Sequence, residues 1–347
     1  MMYEITLRGG PRERGRSQGN TFAPEIRRLI DECQTLWLGD MPKECVAAIR
    51  SNMLAYLQAF WPELIEELHG IAEGANLPFE DICTINFVSA IGALRPGCSN
   101  FITLVTPDGP VHGKTSDIGE DYRYYSVQRV IPDDGPSYLA VSWVGCLWAE
   151  VGINEEGYCV GQGSAPIMPD QDGYGVPTLE YPRALLSRCA TTAQALDQCA
   201  RLDMAGKGLN MAMVDVSGDA TVVERSGTRQ NIRRPVNGVL FCTNHFIAPE
   251  MQGMISLSGP GNPSMAVTSD SEHRLADLQA FFAVRPGPHC REDLMWLLRT
   301  QRASGGLCQD QPPSKVTHYA YLLVPQRREF WISQGKPWET EFVCHTL

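Results

Sequence analysis

The feature that most constrains this chain is a change of texture near residue 97. Before it, apolar residues recur at helical spacing through about 24–86: Ile26, Leu29 and Ile30, then Val46, Ile49, Met53 and Leu57, then Leu64, Ile65, Leu68 and Ile71. Pro62 suits the first turn of the third helix, and Gly74 followed by Pro78 closes it. After residue 97 come β-branched and aromatic runs separated by Gly, Asp and Pro: Phe101–Thr106, Tyr138–Val144, Tyr158–Gly161, Met211–Val216 and Ala220–Glu224. Asp108-Gly109 and Ser217-Gly218-Asp219 read as hairpin turns. Further helices are predicted at about 179–189, 192–202, 271–283 and 290–300, and Tyr319–Val324 with Glu329–Ser333 reads as a closing hairpin. Helices before, between and after antiparallel strands predict an α+β fold whose sheets carry helices on their outer faces.

At the boundary stands Gly97-Cys98, inside Arg95-Pro96-Gly97-Cys98-Ser99-Asn100-Phe101. A thiol directly after Gly meets no side chain when it attacks the preceding carbonyl. A cut there would give Cys98 a free α-amino group. Such an amine titrates at about 7.7–8.0 and a thiol at about 8.5, so one residue would supply both nucleophile and general base. The same dipeptide also suits a turn leading into a buried thiol.

Other segments extend the pattern. Gly9-Gly10-Pro11-Arg12-Glu13-Arg14-Gly15-Arg16-Ser17-Gln18-Gly19 sets Gly, Pro and Glu ahead of a glycine-spaced helix start, and His112-Gly113-Lys114-Thr115-Ser116-Asp117 follows the cysteine. Farther on lie Gly152-Ile153-Asn154-Glu155-Glu156-Gly157, Phe241-Cys242-Thr243-Asn244-His245-Phe246 and Ser271-Glu272-His273-Arg274. In order and spacing these segments resemble the acyl-coenzyme A:6-aminopenicillanic acid acyltransferase-like family of N-terminal nucleophile hydrolases, relatives of the choloylglycine hydrolases. The resemblance runs nearly end to end. It implies a four-layer αββα sandwich in which residues 1–97 form a helical segment and 98–347 the β-rich, nucleophile-bearing segment, cut apart by the protein itself at Gly97-Cys98 and remaining associated as one unit.

The resemblance also implies roles. Asp117 lies nineteen residues after Cys98 on the far arm of the hairpin turned by Asp108-Gly109, so the strand brings it back near the nucleophile, where it would hold the new amine. A turn or cap aspartate before Ile118-Gly119 is the alternative. Asn244, just past the apolar strand Val239–Cys242, would hold the oxyanion, or else form an Asx turn. Arg274 would pair with a substrate carboxylate or with Asp117, or sit on the surface. His245 is disfavoured as a base because the α-amine fills that role. Lys114 departs from the choloylglycine branch, which carries a functional arginine near this distance after its cysteine, and so argues against bile-salt hydrolysis.

The expected activity is that of a self-processing N-terminal cysteine amidohydrolase acting on a small N-acyl amide through a thioester acyl-enzyme. Its partners are the small-molecule amide or acyl thioester and the two fragments for each other, with a homo-oligomer left open. The alternatives are acyl transfer to an amine, an unprocessed papain-like hydrolase, for which the Cys-Gly-Ser-Cys-Trp context is missing, and a catalytically silent binding protein on the same scaffold. No cofactor and no metal are expected. The twelve cysteines are dispersed with no Cys-x-x-Cys pair, and no glycine-rich phosphate loop carries a basic residue. A formal net charge of −11 argues against nucleic acid and anionic membranes, and the Arg12, Arg14, Arg16 cluster reads as a solvated helix start. The first residues lack the pattern of a secretory signal and no run approaches about 18 apolar residues, so cytoplasmic residence is expected. The Gly- and Pro-rich stretches at 163–177 and 255–268 are candidate pocket walls.

Overall fold

Four glycines let two helices touch backbone to backbone. A Cβ built on Gly15 would lie 2.0 Å from the Glu67 carbonyl oxygen, on Gly19 2.4 Å from that of Ile71, on Gly70 2.2 Å from that of Arg12, and on Gly74 2.3 Å from that of Arg16. The glycine spacing noted at residues 15 and 19 is therefore one half of a helix–helix interface whose other half is Gly70 and Gly74.

The computed structural model describes residues 2–347 except 34, 36, 37, 40, 92–96, 120–123, 166–173, 207 and 252–262. Arg95 and Pro96, most of the 163–177 stretch and much of 255–268 fall outside the described residues. The first segment runs β1 (Tyr3–Gly9), α1 (Pro11–Cys33), α2 (Lys43–Phe60), α3 (Pro62–Ala75) and α4 (Phe79–Ile91). Pro11 opens α1 at a position where its missing N–H costs nothing, and the helix is interrupted at Phe22, two residues before Pro24. Asn76 ends α3 in the left-handed conformation.

The second segment continues with β2 (Gly97–Thr103), β3 (Val111–Ile118), β4 (Tyr125–Pro132), β5 (Tyr138–Trp143), β6 (Val151–Asn154), β7 (Cys159–Ala165), the short β8 (Val176–Pro177), α5 (Tyr181–Leu186), α6 (Thr192–Arg201) and β9 (Met204–Ala205). It ends with β10 (Gly208–Val214), β11 (Ala220–Arg225), β12 (Gln230–Arg233), β13 (Val239–Cys242), α7 (Pro263–Ala283), α8 (Arg291–Arg299), β14 (Asp310–Gln311), β15 (Lys315–Val324), β16 (Glu329–Ser333) and β17 (Phe342–Thr346). Among the described residues the strands form two large sheets, ordered β1-β4-β5-β6-β7-β10-β11-β12 and β13-β2-β3-β15-β16-β17, with β14 on β15 and a separate β8–β9 pair.

Helices α1 and α5 pack on the outer face of the first sheet, and α7 and α8 on the outer face of the second, while β2 and β13 meet β7, β10 and β11 between the sheets. The order is helix, sheet, sheet, helix, the four-layer α+β sandwich expected above. Every residue of β2 and β3 is buried because both faces are covered. Residues 1–97 are more than a helical segment: β1 is an edge strand of the first sheet, paired in parallel with β4 from Tyr3↔Ser126 to Gly9↔Pro132. The arginine cluster also departs from expectation. Arg14 is 8% exposed and pairs with Glu67 at 2.9 Å, while Arg12 and Arg16 pair with Glu66 and Glu73 of α3, so the cluster clamps the α1–α3 contact. Among the described residues no helix is long and apolar enough to cross a membrane.

Gly70→Ala tests the glycine interface. The alanine gains up to about 1 kcal/mol of helix propensity, but its methyl group meets backbone, which has no rotamer to yield, so the helices must separate. The expected net loss is about 1–3 kcal/mol, read as a lower melting temperature and denaturant midpoint.

Candidate active site

Antiparallel pairing of β2 with β3 sets Cys98 opposite Ser116 and Gly97 opposite Asp117. Side chains alternate along a strand, so the Cys98 thiol and the Asp117 carboxylate lie on opposite faces of the sheet. Cys98, Lys114, Ser116 and Tyr319 look inward between the sheets, whereas Gly97, Ser99 and Asp117 face the layer of α7 and α8. A Cβ on Gly97 would come within 3.1–3.2 Å of Lys315 and Asp117, so this position has little room for a side chain.

On the other side of β2, β13 runs Val239↔Thr103 to Cys242↔Asn100. Continuing that register by two residues brings Asn244 beside Cys98. The Cys98 backbone N–H donates to Asn244 Oδ1 at 2.7 Å, and Asn244 Nδ2 donates to the Ser164 carbonyl at 2.7 Å. Arg274, fully buried, donates through Nη2 to the same Asn244 Oδ1 at 2.8 Å and through Nη1 to the Cys98 carbonyl and, at 3.2 Å, to Ser99 Oγ. Its Nε is 2.9 Å from Asp270, which also holds Lys315 at 2.6 Å and Arg302 at 3.3 Å. Arg274 and Lys315 hold the Asp270 carboxyl below its usual pKa despite its partial burial.

Ser271 and Arg274, three apart on α7, present one face to this loop. Ser271 Oγ accepts from the Asn244 N–H at 2.6 Å and lies 2.8 Å from both Thr243 Oγ1 and His245 Nδ1. His245 is thus part of the scaffold that fixes Asn244. Buried Glu224 accepts from the N–H groups of Ile247 and Ala248, anchoring the same loop downstream.

Cys98, Asn244 and Arg274 are therefore in one hydrogen-bonded group, but the contacts differ from the expected roles. Asn244 meets the Cys98 nitrogen with its carbonyl oxygen. The expected partner of that nitrogen, Asp117, instead accepts from Thr317 Oγ1 at 2.6 Å and Gln309 Nε2 at 2.9 Å. Arg274 pairs with Asp270 rather than with Asp117, and its guanidinium is taken up by protein groups.

The interior side of the thiol sets Lys114 and Ser116 beside Glu150, which the motif reading passed over. Glu150 Oε2 accepts from Ser116 Oγ at 3.0 Å and from Tyr319 Oη at 2.6 Å. Lys114 Nζ is buried over the rings of Tyr319 and Tyr321 at 5.6 and 6.0 Å, and has no hydrogen-bond partner among the described residues. Cys98 is 4% exposed, and burial raises its pKa, with Lys114 opposing that rise and Glu150 adding to it. The available signal was the polar alternation His112, Lys114, Ser116 in a strand too central to be solvated. Among the described residues no group of three or more His, Cys, Asp or Glu could hold a metal ion.

Residues 105–284, just over half the chain, match the model of the family described as acyl-coenzyme A:6-aminopenicillanic acid acyl-transferase. The chain belongs to this family. The matched stretch contains Asp117, Asn244 and Arg274 and begins seven residues after Cys98. A relative from Emericella nidulans, the 40 kDa form of acyl-coenzyme A:6-aminopenicillanic-acid-acyltransferase, is 28% identical over 168 residues, spanning 46% of this chain and 46% of its own length. Thus the match covers about half of that relative. Among solved structures, a Caenorhabditis elegans ortholog of N-acylethanolamine-hydrolyzing acid amidase aligns with TM-score 0.44 at 13% identity, over 66% of this chain and 93% of that one. A mutant of the conjugated bile acid hydrolase from Clostridium perfringens gives 0.40 at 11%, over 72% and 97%. Membership of the family rests on the match to its model.

Two measurements probe the site. Asp117→Asn turns one acceptor oxygen into a donor facing Gln309 or Thr317, so it should loosen the end of β3 and cost about 1–3 kcal/mol of stability, read as a lower denaturant midpoint; an unchanged midpoint would show that this carboxylate does not hold the strand. His112, buried beside Lys114, has its pKa lowered from 6.5 to about 3. The unfolded chain therefore takes up this proton at higher pH than the folded one. The stability is fully present above about 6.5 and is lost as pH falls toward 3, at up to about 1.4 kcal/mol per unit. His112→Gln should flatten that acid limb in denaturant titrations between pH 7 and pH 4.

Proposed function

We propose that the chain is a self-processing cysteine amidohydrolase of the N-terminal nucleophile class. The observation that carries the reading is the Cys98 nitrogen held on Asn244 Oδ1 beside the Arg274 guanidinium. In processing, Cys98 Sγ attacks the Gly97 carbonyl, the peptide nitrogen leaves with a proton as the new α-amine, and water cleaves the resulting thioester to give the Gly97 carboxylate and a free thiol. In turnover the α-amine takes the thiol proton as Sγ attacks a substrate amide, passes it to the departing amine, and water then resolves the thioester to the acid.

A neutral amide suits this role better than a carboxylate. Asn244 Oδ1 accepts one amine hydrogen and favours the charged form less than a carboxylate would, and the neighbouring Arg274 disfavours it. The amine is thereby kept closer to the neutral state that a general base requires. Asp117, held by Thr317 and Gln309 on the far face, acts by fixing the end of β3 opposite Gly97. Oxyanion stabilisation falls to backbone N–H groups near Cys98, with the second Asn244 amide hydrogen as a further donor.

Acyl transfer to an amine is the second reading, favoured by family membership and by the name of the Emericella relative. A thioester is resolved by an amine when a pocket holds that amine, since positioning reaches effective molarities of about 10⁵ M or more. Lys114 in place of arginine continues to argue against bile-salt hydrolysis.

The decisive experiment joins intact-mass analysis to product partition. The wild-type protein should separate under denaturing conditions into fragments 1–97 and 98–347, and Cys98→Ala should remain one chain. With an activated acyl thioester and millimolar small amines, free acid should dominate; dominant amide would make the enzyme an acyltransferase. A wild-type protein that stays uncut yet turns over, or one that acylates nothing, would overturn the proposal.

A further inference from the structure

Lys315, the first residue of β15, lies across the outer face of the peptide that precedes Cys98. A Cβ built on Gly97 would fall 3.1 Å from Lys315 Cδ and 3.2 Å from its Cε, so the lysine methylenes fill the place that a side chain on Gly97 would take. The ammonium ends on Asp270 Oδ2 at 2.6 Å. That anchor holds a long and otherwise flexible side chain in one position over the strand.

Asp270 ties both sides of the same peptide. Arg274 Nε reaches the same Oδ2 at 2.9 Å, and its Nη1 donates to the Cys98 carbonyl. Lys315 thus covers the Gly97 side and Arg274 holds the Cys98 side, both anchored on one carboxylate. Arg302 approaches Asp270 Oδ1 at 3.3 Å and pairs with Asp277 at 2.7 Å, while Asp117, beside Gly97 on β3, accepts from Thr317 and Gln309.

The strand supplies a further constraint. The Cys98 N–H goes to Asn244, on the β13 side, and the Leu104 N–H goes to the Gly238 carbonyl on that side at 2.8 Å. Even-numbered residues of β2 therefore direct their backbone groups to β13. The Gly97 carbonyl is directed to β3, where its partner in register is Asp117. With its edge against β3 and its outer face under Lys315, the carbonyl carbon is left with its inner face for attack, and that is the face from which the Cys98 thiol projects.

We propose that Lys315 is a positioning residue for processing: anchored on Asp270, its stem holds Gly97 flat against β3 and keeps the scissile carbonyl carbon in reach of Cys98 Sγ. The inference rests on the self-processing reading above. Lys315 gives and takes no proton, and the bonds formed and broken are those already described. It also supplies a reason for glycine before the cysteine, since an alanine methyl would have to displace the anchored stem.

The test is a time course of cutting, followed by intact mass, on the full-length chain made by cell-free translation, with turnover per cut chain measured alongside. Lys315→Ala should slow cutting about tenfold or more, with turnover per cut chain falling by less, because the stem touches Gly97 rather than Cys98. Lys315→Arg keeps a stem and a cation that reaches Asp270, and should cut within about threefold of the wild type. Gly97→Ala should also cut slowly. Combined with Lys315→Ala it should cut faster than it does alone, because the methyl enters the space the stem has left. Cutting of Lys315→Ala at the wild-type rate, equal losses in cutting and turnover, equal slowing by Lys315→Arg and Lys315→Ala, or losses that multiply in the double variant would each overturn this inference and leave self-processing standing. A wild-type chain that is never cut would overturn the self-processing reading and this inference with it.

Discussion

The 2.7 Å hydrogen bond from the Cys98 N–H to Asn244 Oδ1 joins residues 146 positions apart, and it forms because β13 pairs with β2 in one register. A slip of one residue would turn Asn244 to the opposite face and present Thr243 or His245 instead. That register is held from outside the sheet. Ser271 takes the Asn244 N–H, Glu224 takes two N–H groups further along, and Arg274 ties Asn244 and the Cys98 carbonyl to Asp270. Arg274 is buried without being wasted, because one carboxylate and three acceptor oxygens surround its guanidinium, and a buried charge is tolerable only when so paired.

Charge is distributed unequally around the thiol. On its inner side Lys114 lies over two tyrosine rings and Glu150 takes hydrogen bonds from Ser116 and Tyr319. On its outer side Asp117 accepts hydrogen bonds from Gln309 and Thr317, while Arg274 and Lys315 share Asp270. The burial that raises the Cys98 thiol's pKa favours its protonated form.

Much of the layer order was legible because it rests on local signals: helical spacing in α2 and α3, turn residues at Asp108-Gly109 and Ser217-Gly218-Asp219, and β-branched runs in β5 and β11. The strand Val239–Cys242 matches its observed bounds. Three features were not legible. β1 is a short edge strand whose partner lies more than a hundred residues away. β2 starts four residues earlier than its aromatic run suggested, since Gly97-Cys98-Ser99-Asn100 has little strand propensity and is extended by pairing with β3, joined by β13 only at Asn100. Glu150 has no local signature at all, because its role depends on Tyr319 from the other sheet. The motifs named Cys98, Asn244 and Arg274, which lie in one hydrogen-bonded group, but which face each candidate would occupy was not legible. Asp117 and Cys98 are separated by the strand's alternation, and only the register settles that.

The parallel β1–β4 pair has a consequence for biosynthesis. Residues 3–9 leave the ribosome at a stage when the strand they will pair with, 125–132, has not been made. During that interval an edge strand has open hydrogen-bonding groups, the condition under which chains pair with the wrong neighbour. The polar alternation of β1, Glu4, Thr6 and Arg8 against Tyr3, Ile5 and Leu7, gives the waiting strand a soluble face. The tight α1–α3 contact, complete once residue 75 has emerged, supplies early local structure for β1 to rest on.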